Sequence, residues 1–134
     1  MNREIEFRAK RKGNNEWEHG FYYCQKGLNE HYIFPIVETP LYNGIPIITS
    51  FVEVKEETLG QYTGLKDKNG TKIFEGDIVR YEYEPDEYIT GIMEYTCCGF
   101  HICTNADIYD FDEYCSLEVI GNIYDNPELL QQTE

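Results

Sequence analysis

After Arg80 the sequence contains no lysine or arginine, although 54 of its 134 residues are still to come. All eleven basic residues lie at or before that point beside twelve acids, for a net charge of −1. The remainder carries thirteen acids, for a net charge of −13. Such a surface repels a phosphate backbone, which disfavours direct nucleic-acid binding through that half. It attracts a basic protein or a divalent cation, and it also serves solubility alone. Long apolar runs are missing too. The best, residues 45–52, is broken by Pro46, Thr49 and Ser50, far short of the roughly 18 residues a membrane helix needs. Residues 1–6 lack the apolar stretch of a signal peptide. The five cysteines are odd in number, and without an export signal they point to reduced thiols in a cytoplasmic setting. No internal repeat or low-complexity segment is present.

Aromatic residues are plentiful. They make up 15% of the chain, with 12 Tyr and 7 Phe against one Trp, a balance that favours strands. A chain with 41% apolar residues has enough to bury a core. The pattern is one of short strands and turns. Ile5 and Phe7 alternate with Glu4, Glu6 and Arg8, and residues 17–23 read as the hairpin partner across Gly13-Asn14-Asn15. Residues 31–37 form a third apolar stretch that Pro35 places at a strand end or sheet edge. Phe51, Val52 and Val54 read as a short strand after a Pro/Gly-containing loop. Asp67-Lys68-Asn69-Gly70 is hairpin-turn chemistry, because Asn and Gly tolerate positive φ. Residues 78–81, 88–95, 99–103 and 116–123 supply further strands. Asn126-Pro127-Glu128 reads as the cap and first turn of a short C-terminal helix carrying Leu129 and Leu130. Close spacing of short strands predicts a mostly β fold with a small barrel.

Three stretches carry a family resemblance. The central one is Gly60-Gln61-Tyr62-Thr63-Gly64-Leu65-Lys66-Asp67-Lys68-Asn69-Gly70, continuing through Ile73-Phe74-Glu75-Gly76-Asp77-Ile78-Val79. The opening one is Arg3-Glu4-Ile5-Glu6-Phe7-Arg8-Ala9-Lys10 with Glu16, Trp17 and Gly20. The closing one is Glu118-Val119-Ile120-Gly121-Asn122-Ile123-Tyr124-Asp125-Asn126-Pro127-Glu128. Together they resemble the YopX-like proteins of bacteriophages and prophages; residues 82–114 match no pattern of that family. The resemblance implies an SH3-like β-barrel in the C-terminal part and a phage-borne protein of the bacterial cytoplasm. It lends no catalytic residues. The expected organisation is an N-terminal β-hairpin region over residues 1–58 and an acidic SH3-like barrel region over residues 59–134, or one integrated unit.

The nearest approach to a metal site is Cys97-Cys98 with His101, Cys103 and Cys115. On a strand Cys97, His101 and Cys103 share a face, and a neighbouring strand can bring up Cys115; zinc takes four such ligands. Adjacent cysteines are not the usual C-x₂-C knuckle, however, and a buried free cysteine behaves as a small hydrophobe. Asp107, Asp110, Asp112 and Glu113 have calcium-type oxygens but no EF-hand spacing. Residues 64–72 have glycines without P-loop geometry. Ser50 and Ser116 do not sit in G-x-S-x-G. A cysteine paired in space with His19, His31 or His101 is not demanded by any spacing. Lys10-Arg11-Lys12 reads as a solvated run beside a turn.

The expectation is therefore a non-enzymatic binding or assembly module with no catalytic residues, no cofactor and no metal. A protein partner, self-association and no membrane contact are expected. One alternative is an acidic decoy that imitates a phosphate backbone and occupies a basic host protein. Another is a small metal-dependent enzyme using Cys97, His101, Cys103 and Cys115.

Overall fold

The computed structural model describes residues 4–35, 41–46, 50–96, 99–105, 107–110 and 116–132. Its chain forms two compact units, Met1–Gln61 and Tyr62–Glu134. Every pairing between the described strands is antiparallel.

The first unit contains β1 (Phe7–Lys10), β2 (Trp17–Gln25), β3 (Glu30–Pro35), β4 (Leu41–Tyr42), β5 (Ile45–Pro46) and β6 (Val52–Glu53). The strand β7 (Gly60–Lys66) begins here, where Gly60 and Gln61 pair with β1. The order β6-β3-β2-β1 places β2 centrally, with β1 on one side and β3 on the other. One face buries Ala9, Ile33 and Val54, with Val52 and Leu59 against them. A 3-10 turn, Glu56–Thr58, is pinned to β1 because Thr58 Oγ1 accepts the Lys10 N–H at 2.8 Å and donates to Lys55 O at 2.7 Å. The strand expected around Ile5 starts later, at Phe7. Ile5 is exposed, whereas Glu6 and Arg8 are buried. Both buried groups have contacts on the face away from Ala9: Glu6 Oε2 lies 3.0 Å from His19 Nδ1, and the Arg8 guanidinium sits 4.6 Å over the Trp17 ring, although its Nε has no hydrogen-bond partner among the described residues. Residues 36 and 37 of the third expected strand lie outside the described residues.

The second unit holds the rest of β7, then β8 (Lys72–Phe74), β9 (Asp77–Glu84), β10 (Glu87–Thr96), β11 (Gly99–Cys103), β12 (Ile108–Tyr109) and β13 (Ser116–Asn122). The sheet order is β12-β11-β10-β9-β13. Ile73, Val79, Met93, Ile102 and Leu117 form its core, joined by Leu65, Tyr81, Phe100, Tyr109 and Val119. The tight bend into β9 is held by the Asp77 carboxylate, which accepts the Phe74 N–H at 2.8 Å.

Two expectations are corrected here. The described strands form open sheets, with no closed barrel among them. A barrel needs a continuous ladder joining its edges, and β12 is only two residues long. The β7–β8 hairpin packs on the sheet through Ile73 and Leu65. It meets β13 through one backbone bond, Lys68 N–H to Leu117 O at 3.0 Å, and through the Asp67 carboxylate, which accepts the Val119 N–H at 3.0 Å. A side chain thus takes the place of a ladder. The C-terminal helix is likewise only a six-residue 3-10 turn, Pro127–Gln132. Its opening bond is Leu129 N–H to Asn126 O, an i→i+3 closure, and so short a segment does not recover the cost of α-helix nucleation.

The hairpin turn at residues 67–70 has a different mechanism from the expected one. Gly70 N–H donates to Asp67 O at 3.0 Å and only Gly70 takes positive φ, at 84°. Asn69 serves instead by giving its N–H to Asp67 Oδ1 at 2.8 Å. Gly70→Val should destabilise the protein by about 1 kcal/mol or more, since a β-branched residue is strained in the left-handed region. An unchanged melting temperature would contradict this.

Candidate functional site

The residues singled out for metal binding are only partly described. Cys97, Cys98 and Cys115 lie outside the described residues, as do Asp112 and Glu113. His101 and Cys103 share a face of β11, opposite Glu94 and Ile92 of β10. Both His101 nitrogens are engaged. Nδ1 lies 2.6 Å from Thr96 Oγ1 and 3.2 Å from Gly99 O, and Nε2 lies 2.8 Å from Asp110 Oδ1. Burial, then a hydrogen bond with Glu94 and its negative charge, push the Cys103 thiol up, which favours the protonated form over the thiolate that zinc takes. Among the described residues no three His, Cys, Asp or Glu side chains are grouped to hold a metal ion. Asp107 and Asp110 are exposed.

A cluster of a different kind lies in the first unit. The β2–β3 register sets Cys24 directly opposite His31 and Tyr22 opposite Ile33. Tyr22 Oη is 2.6 Å from His31 Nδ1, with the two rings stacked at an interplanar angle of 6°. His31 Nε2 is 3.2 Å from Glu56 Oε2. No sequence motif announces this group, since Cys24 and His31 meet only through the register of the hairpin. The usable signal was the four-residue turn Lys26-Gly27-Leu28-Asn29, which folds the two alternating patterns onto each other.

The opposite face of the same sheet is aromatic and open. Phe21 pairs with Phe34, and Tyr23 with Tyr32. Phe51 packs edge-on against Tyr32 and Phe34, with centroids 5.2 and 6.1 Å away. Phe21, Tyr23 and Phe51 are 58%, 50% and 62% exposed, so half or more of each ring is left to water. The Tyr32 phenol is pushed up to about 12, first by its hydrogen bond to Glu30, then by burial and the charges of Glu30 and Glu53; it stays a neutral donor. Beside the patch runs an open groove lined by Arg11, Lys12, Phe51 and Glu53. Its cations are paired, Arg11 with Glu18 at 2.6 Å and Lys12 with Glu53 at 3.0 Å.

In the second unit the β9–β10 hairpin ends in Glu84, Asp86 and Glu87, with Tyr83 and Tyr88 exposed nearby. The Tyr83 hydroxyl donates to Glu87 Oε2 at 2.7 Å. That bond, then burial and the surrounding carboxylates, push its phenol up. Tyr88 is pushed up first by its hydrogen bond to Glu82 and by the charge of Glu82. Arg80 stacks 4.7 Å over Tyr88 and pairs with Glu118 at 3.1 Å. Among the described residues no helix is long and apolar enough to cross a membrane.

The geometry defines an all-β protein of two units, with an open aromatic sheet face in the first and an acidic hairpin in the second. Residues 6–131 match the family model described as YopX protein, and the chain belongs to that family. Among solved structures it is similar to protein EF1440 from Enterococcus faecalis. The two are 28% identical, the match covers 96% of this chain and 99% of that one, and the TM-score is 0.65. No curated protein matches the chain.

Proposed function

We propose that this chain is a non-enzymatic binding or assembly module of phage or prophage origin, working in the bacterial cytoplasm and engaging a protein partner through the aromatic face of its first unit. The observation that carries the reading is the contiguous group Phe21, Tyr23 and Phe51, each at least half exposed over Tyr32 and Phe34. Contiguous exposed apolar surface marks interaction sites, and aromatic residues are enriched where interfaces concentrate their binding energy. A second copy of the chain is one such partner. The near-neutral first unit suits self-association better than the acidic second unit, which would meet its own charge.

The doubly substituted Phe21→Ser, Phe51→Ser protein tests this. Both rings are largely exposed, so the fold should persist, with an unchanged circular dichroism spectrum. Capture of host proteins from a lysate should fall at least tenfold, or the mass by light scattering should drop to that of the monomer, because hot-spot aromatics each contribute about 2 kcal/mol or more. Undiminished capture together with an unchanged oligomeric state would sink the reading. The acidic decoy remains the second reading, supported by the Glu84, Asp86 and Glu87 hairpin end. It requires capture of a basic protein that survives the Phe substitutions and weakens as salt screens exposed charge.

A further inference from the structure

The groove beside the aromatic patch offers charge as well as apolar surface. Its lining sets two cations, Arg11 and Lys12, against one acid, Glu53. Among the described residues Arg11 engages only its Nε, with Glu18, and Lys12 engages its Nζ with Glu53 alone. A guanidinium fork and an ammonium each carry several donors, so both side chains keep N–H groups for an incoming acceptor. Beside them Lys55 Nζ donates to Asn15 Oδ1, a neutral amide that does not offset its charge. Phe51 lines the same groove and joins it to the exposed aromatic patch. Such a lining suits a segment that brings carboxylates and aromatic rings together. Carboxylates take charge-assisted bonds from a guanidinium fork, and a second ring covers the exposed one.

The chain itself holds a segment of that kind. Residues 82–88 read Glu82-Tyr83-Glu84-Pro85-Asp86-Glu87-Tyr88, acids and tyrosines with no cation. Strand β9 ends at Glu84 and β10 starts at Glu87, so only Pro85 and Asp86 make the turn, with Asp86 at φ 62°. Residues 83–88 are all exposed. The result is a narrow tip that presents carboxylates beside two open phenol rings. We propose that the acidic β9–β10 hairpin end of one copy docks in the Arg11, Lys12 and Phe51 groove of another, so that copies assemble head to tail. The proposal rests on the reading of the aromatic face as a binding surface and names its occupant. Two different patches meet, so each copy keeps a groove and a hairpin end for further neighbours, and assembly continues to rings or open chains instead of stopping at a dimer. A symmetric contact between two acidic hairpins would instead set like charges together. Each copy carries −14 overall; about 0.1 M salt screens that repulsion beyond roughly 10 Å, whereas bonds in the groove act at contact.

Complementary charge reversal tests the contact. The full-length protein is followed by sedimentation velocity in about 0.1 M salt over a range of protein concentrations. The wild-type mass should rise with concentration and pass that of a dimer. The Arg11→Glu, Lys12→Glu protein and the Glu84→Lys, Glu87→Lys protein should each associate at least about tenfold more weakly, because like charges then meet at contact. Asp86 is left in place, since it holds the positive φ of the turn. An equal mixture of the two variants should recover association, because the reversed groove takes the reversed hairpin and the native groove takes the native one. Circular dichroism checks that each variant is folded. Arg11→Gln, Lys12→Gln adds no repulsion against Glu18 and Glu53; it should weaken association in the same direction, and it decides the groove's role if the Glu pair unfolds. A wild-type protein that is monomeric at every concentration overturns the proposal, as does association unchanged in the Gln pair or the Lys pair, or folded variants that do not recombine. A dimer lost in Phe21→Ser, Phe51→Ser but untouched by the charge changes overturns the head-to-tail contact while the aromatic-face reading stands.

Discussion

Gly20→Ala should part the β2–β3 ladder and destabilise the first unit by about 3 kcal/mol or more, the upper range for overpacking. A Cβ on Gly20 would lie 1.9 Å from Phe34 O, 2.7 Å from Phe34 C and 3.0 Å from Pro35 Cα. All three are backbone atoms of the neighbouring strand. They cannot move aside as a flexible side chain does without breaking the pairing of Gly20 with Pro35 and Phe21 with Phe34. The loss propagates, because Gly20 also pairs with Phe7 of β1, and because β3 carries Ile33 of the core and the aromatic face. Gly27→Ala is the matched control, since a Cβ there meets nothing within 4 Å. Chemical denaturation followed by circular dichroism should show an early transition for Gly20→Ala and none of that shift for Gly27→Ala. Equal midpoints for the two variants would contradict the close approach.

Asp67→Ala should cost the second unit about 3 kcal/mol at neutral pH. The Asp67 carboxylate is 7% exposed. It accepts N–H groups from Asn69 at 2.8 Å, Thr71 at 2.9 Å and Val119 at 3.0 Å, and hydrogen bonds to a charged group contribute about 1.5–3 kcal/mol each, less where solvent can substitute. Burial by itself would raise its pKa. The Val119, Thr71 and Asn69 donors and the nearby Lys68 charge outweigh that, so the group is held below the ordinary carboxylate value. A carboxylate depressed in the folded state contributes stability that is fully present above its unfolded pKa, about 4, and is lost as pH falls through the folded pKa. The gap between wild type and Asp67→Ala should therefore be widest near neutral pH and close in acid. A gap that grows on acidification would show that the carboxylate is not held by these donors.

Asp67 also shows why sequence and structure divide their roles as they do. The turn at residues 67–70 is legible because its causes are local: a glycine at the position of positive φ and an acid that bonds two N–H groups within four residues. The same carboxylate's third bond, to Val119 across 52 positions, has no local trace. That bond belongs to an open sheet with a docked hairpin, where the spacing of strands alone suggested a barrel. Gly20 stands in the family signature, and the sequence announces that a glycine is there. Only the distance to Phe34 O explains what it is for.

What the sequence determines by itself follows from neighbours along the chain. Alternation, turn residues and aromatic content establish an all-β chain of short antiparallel strands, and the motifs around Trp17, Tyr62 and Gly121 establish its family. The lopsided charge is likewise a property of composition. The tertiary structure decided what depends on register. It turned Cys24 toward His31 and, one residue out of phase, Phe21, Tyr23 and Phe51 toward solvent, because successive side chains of a strand point to opposite faces and a slip of one residue would exchange them. It placed His101 against Asp110 and Thr96. It also left the C-terminal segment as a 3-10 turn, since six residues with an i→i+3 closure cannot offset the entropy of starting an α-helix.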